Sequence, residues 1–198
     1  MPQVLWDAKA EPDIVTVPAR SVLALDGQGA PEGDVFQQAV AAIYGIAYTL
    51  KFARKKSGGP DFKIGPLEAR WWADKPGRHL LDAPRETWRW QLRMALPDDA
   101  RAPELVRAIE TGTHKKGGKL EGNAQVANIV LATIPTQRFG RMLHVGPYAT
   151  EGESFAKILE VVEQAGLKAG HAHLEVYLSD PRRTKADKLK TVLLLELA

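Results

Sequence analysis

The sequence predicts an α+β fold built from two diverged strand-helix-strand-strand units. Two observations carry this. The order of predicted elements in the first half recurs in the second. The triplet Glu32, Gly33 and Phe36 also matches Glu151, Gly152 and Phe155 at one constant offset, each where a strand hands over to a helix. Farther on, Leu67-Glu68-Ala69 aligns with Leu174-Glu175-Val176 at the start of the third element of each half.

The elements follow from residue patterning. Ile14 to Leu25 is rich in β-branched and aliphatic residues and is interrupted by Pro18, which predicts a short strand, a bend, and a strand from Arg20 that ends at Gly27 and Gly29. From Asp34 to Lys55, the residues Val35, Phe36, Ala39, Val40, Ile43, Tyr44, Ala47 and Leu50 recur at helical spacing, and Ser57-Gly58-Gly59-Pro60 closes the helix. Two aromatic strands follow, Leu67 to Ala73 and Thr87 to Leu96, separated by a turn-prone stretch with Pro76, Gly77 and Pro84. Residues 98–136 read as a linker with one or two helices, beginning with Asp98 to Ile109 and containing a flexible run from Gly117-Gly118 to Gly122. The second set comprises a strand at Arg138 to Val145, a helix at Glu151 to Gln164 capped at Thr150 and ended by Gly166, and strands at His173 to Ser179 and Lys190 to Leu197. Residues 1–198 are therefore expected to form a single domain, with repeats at about 13–97 and 137–198 around the helical linker at about 98–136.

Composition narrows the function classes. With 44% hydrophobic and 26% charged residues, the chain is an ordinary globular sequence. Twenty-seven Lys and Arg against 24 Asp and Glu leave a net charge of only +3. The basic residues are dispersed apart from Lys115-Lys116 and Arg182-Arg183, so no stripe for nucleic acid is expected. The absence of cysteine excludes disulfides and thiolate metal sites. No signal peptide or membrane-length apolar run is read, and a cytoplasmic setting is expected. His171 and His173 lack a third ligand at a recognisable spacing, and Gly27-Gln28-Gly29 lacks a nucleotide-loop context, so neither metal nor cofactor is expected.

The runs His144-Val145-Gly146-Pro147-Tyr148, His173-Leu174-Glu175-Val176-Tyr177-Leu178-Ser179-Asp180-Pro181 and Leu189-Lys190-Thr191 resemble the GyrI-like small-molecule-binding domain family. Tyr48-Thr49-Leu50-Lys51-Phe52 and Pro66-Leu67-Glu68-Ala69-Arg70-Trp71-Trp72 resemble its stand-alone branch, which includes hydrolases that open cyclopropane rings of DNA-alkylating natural products. The resemblance implies a pseudo-twofold pair of units forming an antiparallel sheet with helices on one face. It also implies a ligand cleft between the halves with an acidic residue at its floor. The chain departs from the pattern at Ala69 and Arg70, where a glycine and an apolar residue are expected.

Strand alternation puts Glu175 and Tyr177 on one face and Leu174, Val176 and Leu178 on the other. With the resemblance added, Glu175 and Tyr148 become the candidate catalytic residues: Glu175 to orient or deprotonate water, and Tyr148 or Tyr177 to donate to an oxygen gaining charge. Glu68, Trp72, Tyr177, Trp90 and Trp88 become candidate ligand-binding residues. The blander alternatives are an exposed strand glutamate at 175, a structural Glu68–Arg70 ion pair, and core packing for Trp88 and Trp90. Trp71 and Trp72 point to opposite faces, and Trp72 reaches the cleft if Glu68 does.

The expected partner is an aromatic or cationic small molecule. A detoxifying hydrolase is the first reading. Non-catalytic sequestration of planar or cationic drugs, or an effector or gyrase-inhibitor module, are the alternatives. No helix-turn-helix segment is read ahead of the domain, so a one-chain transcription factor is not the expectation.

Overall fold

A computed structural model of the chain describes residues 3–73, 75, 80–114, 118 and 120–198, apart from the side chain of Leu81. The predicted turn at Pro76-Gly77 and the Lys115-Lys116-Gly117 run lie outside the described residues. Eight strands form one antiparallel sheet: β1 (Asp13–Val17), β2 (Arg20–Gln28), β3 (Leu67–Trp72), β4 (Arg89–Ala95), β5 (Val130–Ile134), β6 (Gln137–Val145), β7 (Ala169–Tyr177) and β8 (Lys190–Leu197). Their order is β1-β6-β8-β7-β3-β4-β2-β5. Among the described residues, three α-helices accompany them: α1 (Asp34–Lys56), α2 (Ala102–His114) and α3 (Glu151–Gln164).

The two halves meet where β3 pairs with β7. Each half contains the expected strand-helix-strand-strand set, and an outer strand is exchanged on each side: β1 opens the first repeat but pairs with β6, and β5 precedes the second repeat but pairs with β2. β5 lies inside the stretch read as a helical linker. Its five residues are too few to establish a period-2 pattern beside glycine-rich sequence. α2 begins at Ala102, four residues later than the predicted helix start at Asp98.

Both long helices cover the same face of the sheet. α1 buries Phe36, Ile43, Ile46 and Leu50 against Leu23, Leu25, Trp71, Trp90 and Leu92 of the first half. α3 buries Ile158 and Val162 against Met142 and Leu193 of the second. Gly140 of β6 permits that approach, because a Cβ there would lie 2.6 Å from Val162 and 2.7 Å from Ile158. α2 is fastened to α1 by Arg54, which donates to both Glu104 oxygens at 2.8 Å and to Asp99 at 2.9 Å.

The opposite face of the second half carries Phe139, Leu174, Val176, Val192 and Leu194, packed with Leu5 of the N-terminal segment. In the first half the same face carries a smaller apolar cluster of Val22, Ala24 and Ile134 beside a group of buried polar residues. Glu68 is fully buried and pairs with Arg20 at 2.6 Å. Arg93 lies nearby, its pKa pushed down to about 10 by burial despite the attraction of Glu68. No helix among the described residues is long and apolar enough to cross a membrane.

Because the Arg20–Glu68 pair has no access to solvent, removing one partner strands a buried charge. Glu68→Ala is expected to lower the unfolding free energy in urea by roughly 3 kcal/mol. Exchanging both residues for apolar ones of similar volume should cost much less.

Candidate functional site

Helices α1 and α3 stand apart over the middle of the sheet, and the space between them is a cleft of about 2060 Å³. That is larger than the roughly 300–1,000 Å³ of ordinary small-molecule pockets, so it has room for a polycyclic compound. Its floor is the β3–β7 junction, with Leu67 opposite Tyr177, Ala69 opposite Glu175 and Trp71 opposite His173. Directly paired residues share a face, so the odd-numbered residues of both strands point into the cleft.

One cross-sheet row shows how different the halves are. It runs Leu25, Leu92, Ala69, Glu175, Leu193, Met142. By position, Leu25, Leu92 and Ala69 are the counterparts of Met142, Leu193 and Glu175. The polar group at the centre of this row is Glu175, and its pseudo-symmetric counterpart is a methyl group.

The first-half wall is aromatic. Phe36 stacks on Trp71 with ring centroids 5.2 Å apart, and Trp88 meets Trp71 edge to face at 5.9 Å. The indole of Trp88 is fixed by donating to the Ala83 carbonyl at 3.0 Å. Tyr44 completes this wall, and the exposed Arg85–Glu32 pair lies at its rim, with Arg85 5.1 Å above the Trp88 ring.

The second-half wall is polar. Tyr177 donates from its hydroxyl to Glu175 Oε2 at 2.6 Å, and His173 Nε2 lies 3.0 Å from Oε1. Phe155 of α3 packs against the His173 ring at 4.7 Å. Tyr148, in the short 3-10 turn Tyr148–Thr150 before α3, meets Tyr177 edge to face at 6.0 Å. Burial and then the Glu175 charge hold the Tyr177 hydroxyl well above its ordinary pKa. Tyr148 is pushed to about 12 by burial, then by Glu151 and Glu175.

Glu151 opens α3 and lines this wall at only 8% exposure. Its Oε1 has no hydrogen-bond partner. Burial, reinforced by Glu175 and opposed by a hydrogen bond from Thr191, raises its pKa to about 9. The cleft therefore holds two carboxyl groups in unlike environments, and burial biases one of them, Glu151, toward its neutral form.

The structure brings Glu175, Tyr148, Tyr177 and Trp88 to the cleft lining. It does not bring Glu68, Trp72 or Trp90 there. Glu68 and Trp72 lie on the opposite face, where Glu68 meets Arg20 and Arg70 packs over the Trp72 ring at 4.8 Å. The cause is a one-residue offset: the matched Leu-Glu letters align Glu68 with Glu175, whereas the ladder aligns Ala69 with it. Trp71 is the cleft-side tryptophan. The proposed Glu68–Arg70 pair is also absent, since Arg70 makes two bonds to Glu196 at 2.6 and 2.9 Å. Trp90 does share a face with Trp88, but Phe36 covers it, and it packs so closely on Gly27 that a Cβ there would sit 2.1 Å from its ring.

Glu151 is matched to Glu32 in the sequence as a repeat marker at a helix start, and nothing in the residue pattern marks it as a site group. His173 reads from spacing as a metal-ligand candidate alone. The alternation that selected Glu175 and Tyr177 also selects His173. Among the described residues, no group of three acidic, histidine or cysteine side chains is arranged to hold a metal.

Residues 113–198 match the GyrI-like small molecule binding domain. Two solved structures from Listeria innocua align over 99% of this chain and 96% of their own, each at 30% identity. One is described as a hydrolase, with a TM-score of 0.86, and the other as an uncharacterized conserved protein, with a TM-score of 0.88. The EcmrR C-terminal domain aligns over 95% of this chain at 14% identity and a TM-score of 0.56, a likeness of fold. No curated protein sequence matches the chain significantly.

A carboxyl whose folded-state pKa is raised costs stability as pH climbs from its unfolded value toward the folded one. Glu151→Gln is thus expected to raise Tm relative to the unsubstituted protein by roughly 5 °C near pH 8. The gap should close near pH 4, where both states are protonated; thermal unfolding monitored by circular dichroism across this range checks it.

Proposed function

The chain belongs to the family of GyrI-like small-molecule-binding domains, and we propose that it is a hydrolase adding water to strained, electrophilic aromatic compounds, of which cyclopropane-bearing DNA alkylators are the model substrates. The observation that carries this reading is the anchoring of Glu175. Tyr177 and His173 hold its two oxygens at 2.6 and 3.0 Å on the floor of an aromatic-walled cleft. A base fixed in this way meets the geometric demand of general-base catalysis, which is set by orientation before pKa. The hydrolase description of the Listeria protein at 30% identity supports it.

The planar body of the substrate lies along Phe36, Trp71 and Trp88, where flat apolar area and ring edges favour stacking. This places the strained ring against the polar wall. Water gives one proton to the Glu175 carboxylate while its oxygen bonds to a ring carbon. The carbon–carbon bond of the cyclopropane breaks, and its electron pair passes through the conjugated system to a carbonyl oxygen. Tyr148 hydrogen-bonds that oxygen as its charge grows. The product has lost its electrophilic ring, so the outcome is detoxification.

Capture of planar cations without turnover is the second reading. The floor carboxylate beside aromatic faces favours it, since both attract positive charge. Mass spectrometry separates the two. With a cyclopropane-bearing alkylator, addition of one water over many turnovers is expected, and Glu175→Gln should reduce kcat by about 100-fold. Trp88→Ala should weaken binding by about tenfold. Stoichiometric binding with no mass change, or undiminished turnover by Glu175→Gln, contradicts the hydrolytic reading.

A further inference from the structure

We propose that Glu151 supplies the proton taken up by the substrate oxygen when the ring opens, so that Glu151 and Glu175 act as the acid and base of one carboxyl pair. This rests on the hydrolytic reading above and adds a second catalytic group to it.

The position of Glu151 is the first ground. It projects from the start of α3 into the cleft wall, more than nine-tenths buried, and its Oε1 meets no donor or acceptor. Buried polar atoms are almost always satisfied, and an oxygen held both out of water and without a partner does nothing to stabilise a carboxylate charge, which keeps the proton on Glu151. The neighbours are the second ground. Glu175 and Tyr177 face it from β7, Thr191 from β8 and Tyr148 from the preceding turn. His173 stands behind Glu175, while Tyr44 of α1 and Asp180 line the cleft beyond. Among the described residues, burial and the Glu175 charge oppose its ionisation and the Thr191 hydrogen bond is what favours it. It stays a neutral acid where a proton is needed.

Tyr148 does not fill this role equally well. Its hydroxyl, held near 12, keeps its proton and suits a hydrogen bond, whereas Glu151, near 9, is close to the acidity of the phenol-like product, about 10. The proton count closes. Water gives a proton to Glu175, Glu151 gives one to the substrate oxygen, and the pair ends with Glu175 protonated and Glu151 ionised. Movement of the proton from Glu175 back to Glu151, directly or through solvent, restores the starting state. Because Glu151 works in its protonated form, activity is lost as pH rises through about 9.

The test measures kcat and KM from pH 6 to 10.5 for the unsubstituted protein, Glu175→Gln and Glu151→Gln, using an alkylator with a cyclopropane fused to a dienone. Glu151→Gln is expected to lower kcat by about 100-fold with KM changed less than about threefold, and to abolish the alkaline fall. If Glu151→Gln keeps kcat within twofold and retains the alkaline fall, the acid role of Glu151 is overturned while the hydrolytic reading stands. If the unsubstituted protein shows no turnover, the hydrolytic reading itself is overturned. Should Glu151→Gln fail to fold, Glu151→Asp serves instead: a displaced alkaline limb supports the assignment, and an unmoved one contradicts it.

Discussion

Everything the cleft presents is decided by the ladder between β3 and β7, in which Ala69 lies opposite Glu175 and Trp71 opposite His173. Alternation has a period of two, so a shift of one residue would turn Glu68, Arg70 and Trp72 inward and bury Ala69 and Trp71 on the far side. The observed register is held from both sides. On the far face, Glu68 is committed to Arg20, and Arg70 to Glu196 of β8. On the near face, Trp71 is locked under Phe36 of α1. Slippage would pull the indole from under Phe36 and break the buried Arg20–Glu68 pair, so packing and electrostatics favour the same alignment.

Given that register, the pseudo-twofold relation between the halves fails where chemistry would use it. A symmetric cleft would offer two carboxylates or none at its floor. This one offers Glu175 on one side and the Ala69 methyl group on the other, with an aromatic wall over the first half and a polar wall over the second. The two ends of such a space differ in character, an apolar wall at Trp88 and a polar one at Glu175. The polar wall is also internally unequal. Glu175 has hydrogen bonds to both oxygens, whereas Glu151 keeps one oxygen bare, and burial holds its proton in place. Unlike environments for two nearby acids are how one site comes to contain both an acid and a base.

Much of this was legible in the residues. Helical periodicity located α1 and α3 to within a residue, and β8 runs from Lys190 to Leu197 as the pattern predicts. Alternation within β7 gave the facing of Glu175 and Tyr177, because that is a local property of one strand. The equivalence of Glu68 with Glu175 was not local. It depended on aligning two diverged segments by letters, and the true correspondence is fixed by hydrogen-bond ladders that a sequence does not display. Trp90 shows a second limit. Its facing followed from alternation with Trp88, but whether it meets ligand depends on how far α1 extends over it, which is a matter of tertiary packing. Glu151 sits at a helix start, where an acidic residue is ordinary surface chemistry favoured by the helix dipole. Only the fold over it makes it buried.

The proposed chemistry rests on a protonated Glu151 beside a hydrogen-bonded Glu175. Carbon-13 NMR of protein labelled at the glutamate side-chain carboxyl carbon, with the Glu151 resonance assigned by its loss in Glu151→Gln, reads that state. The Glu151 signal is expected to remain at the neutral-acid position at pH 7 and to titrate with a midpoint near 9. A Glu151 resonance already ionised at pH 7, with its midpoint in the ordinary carboxylate range, would contradict it.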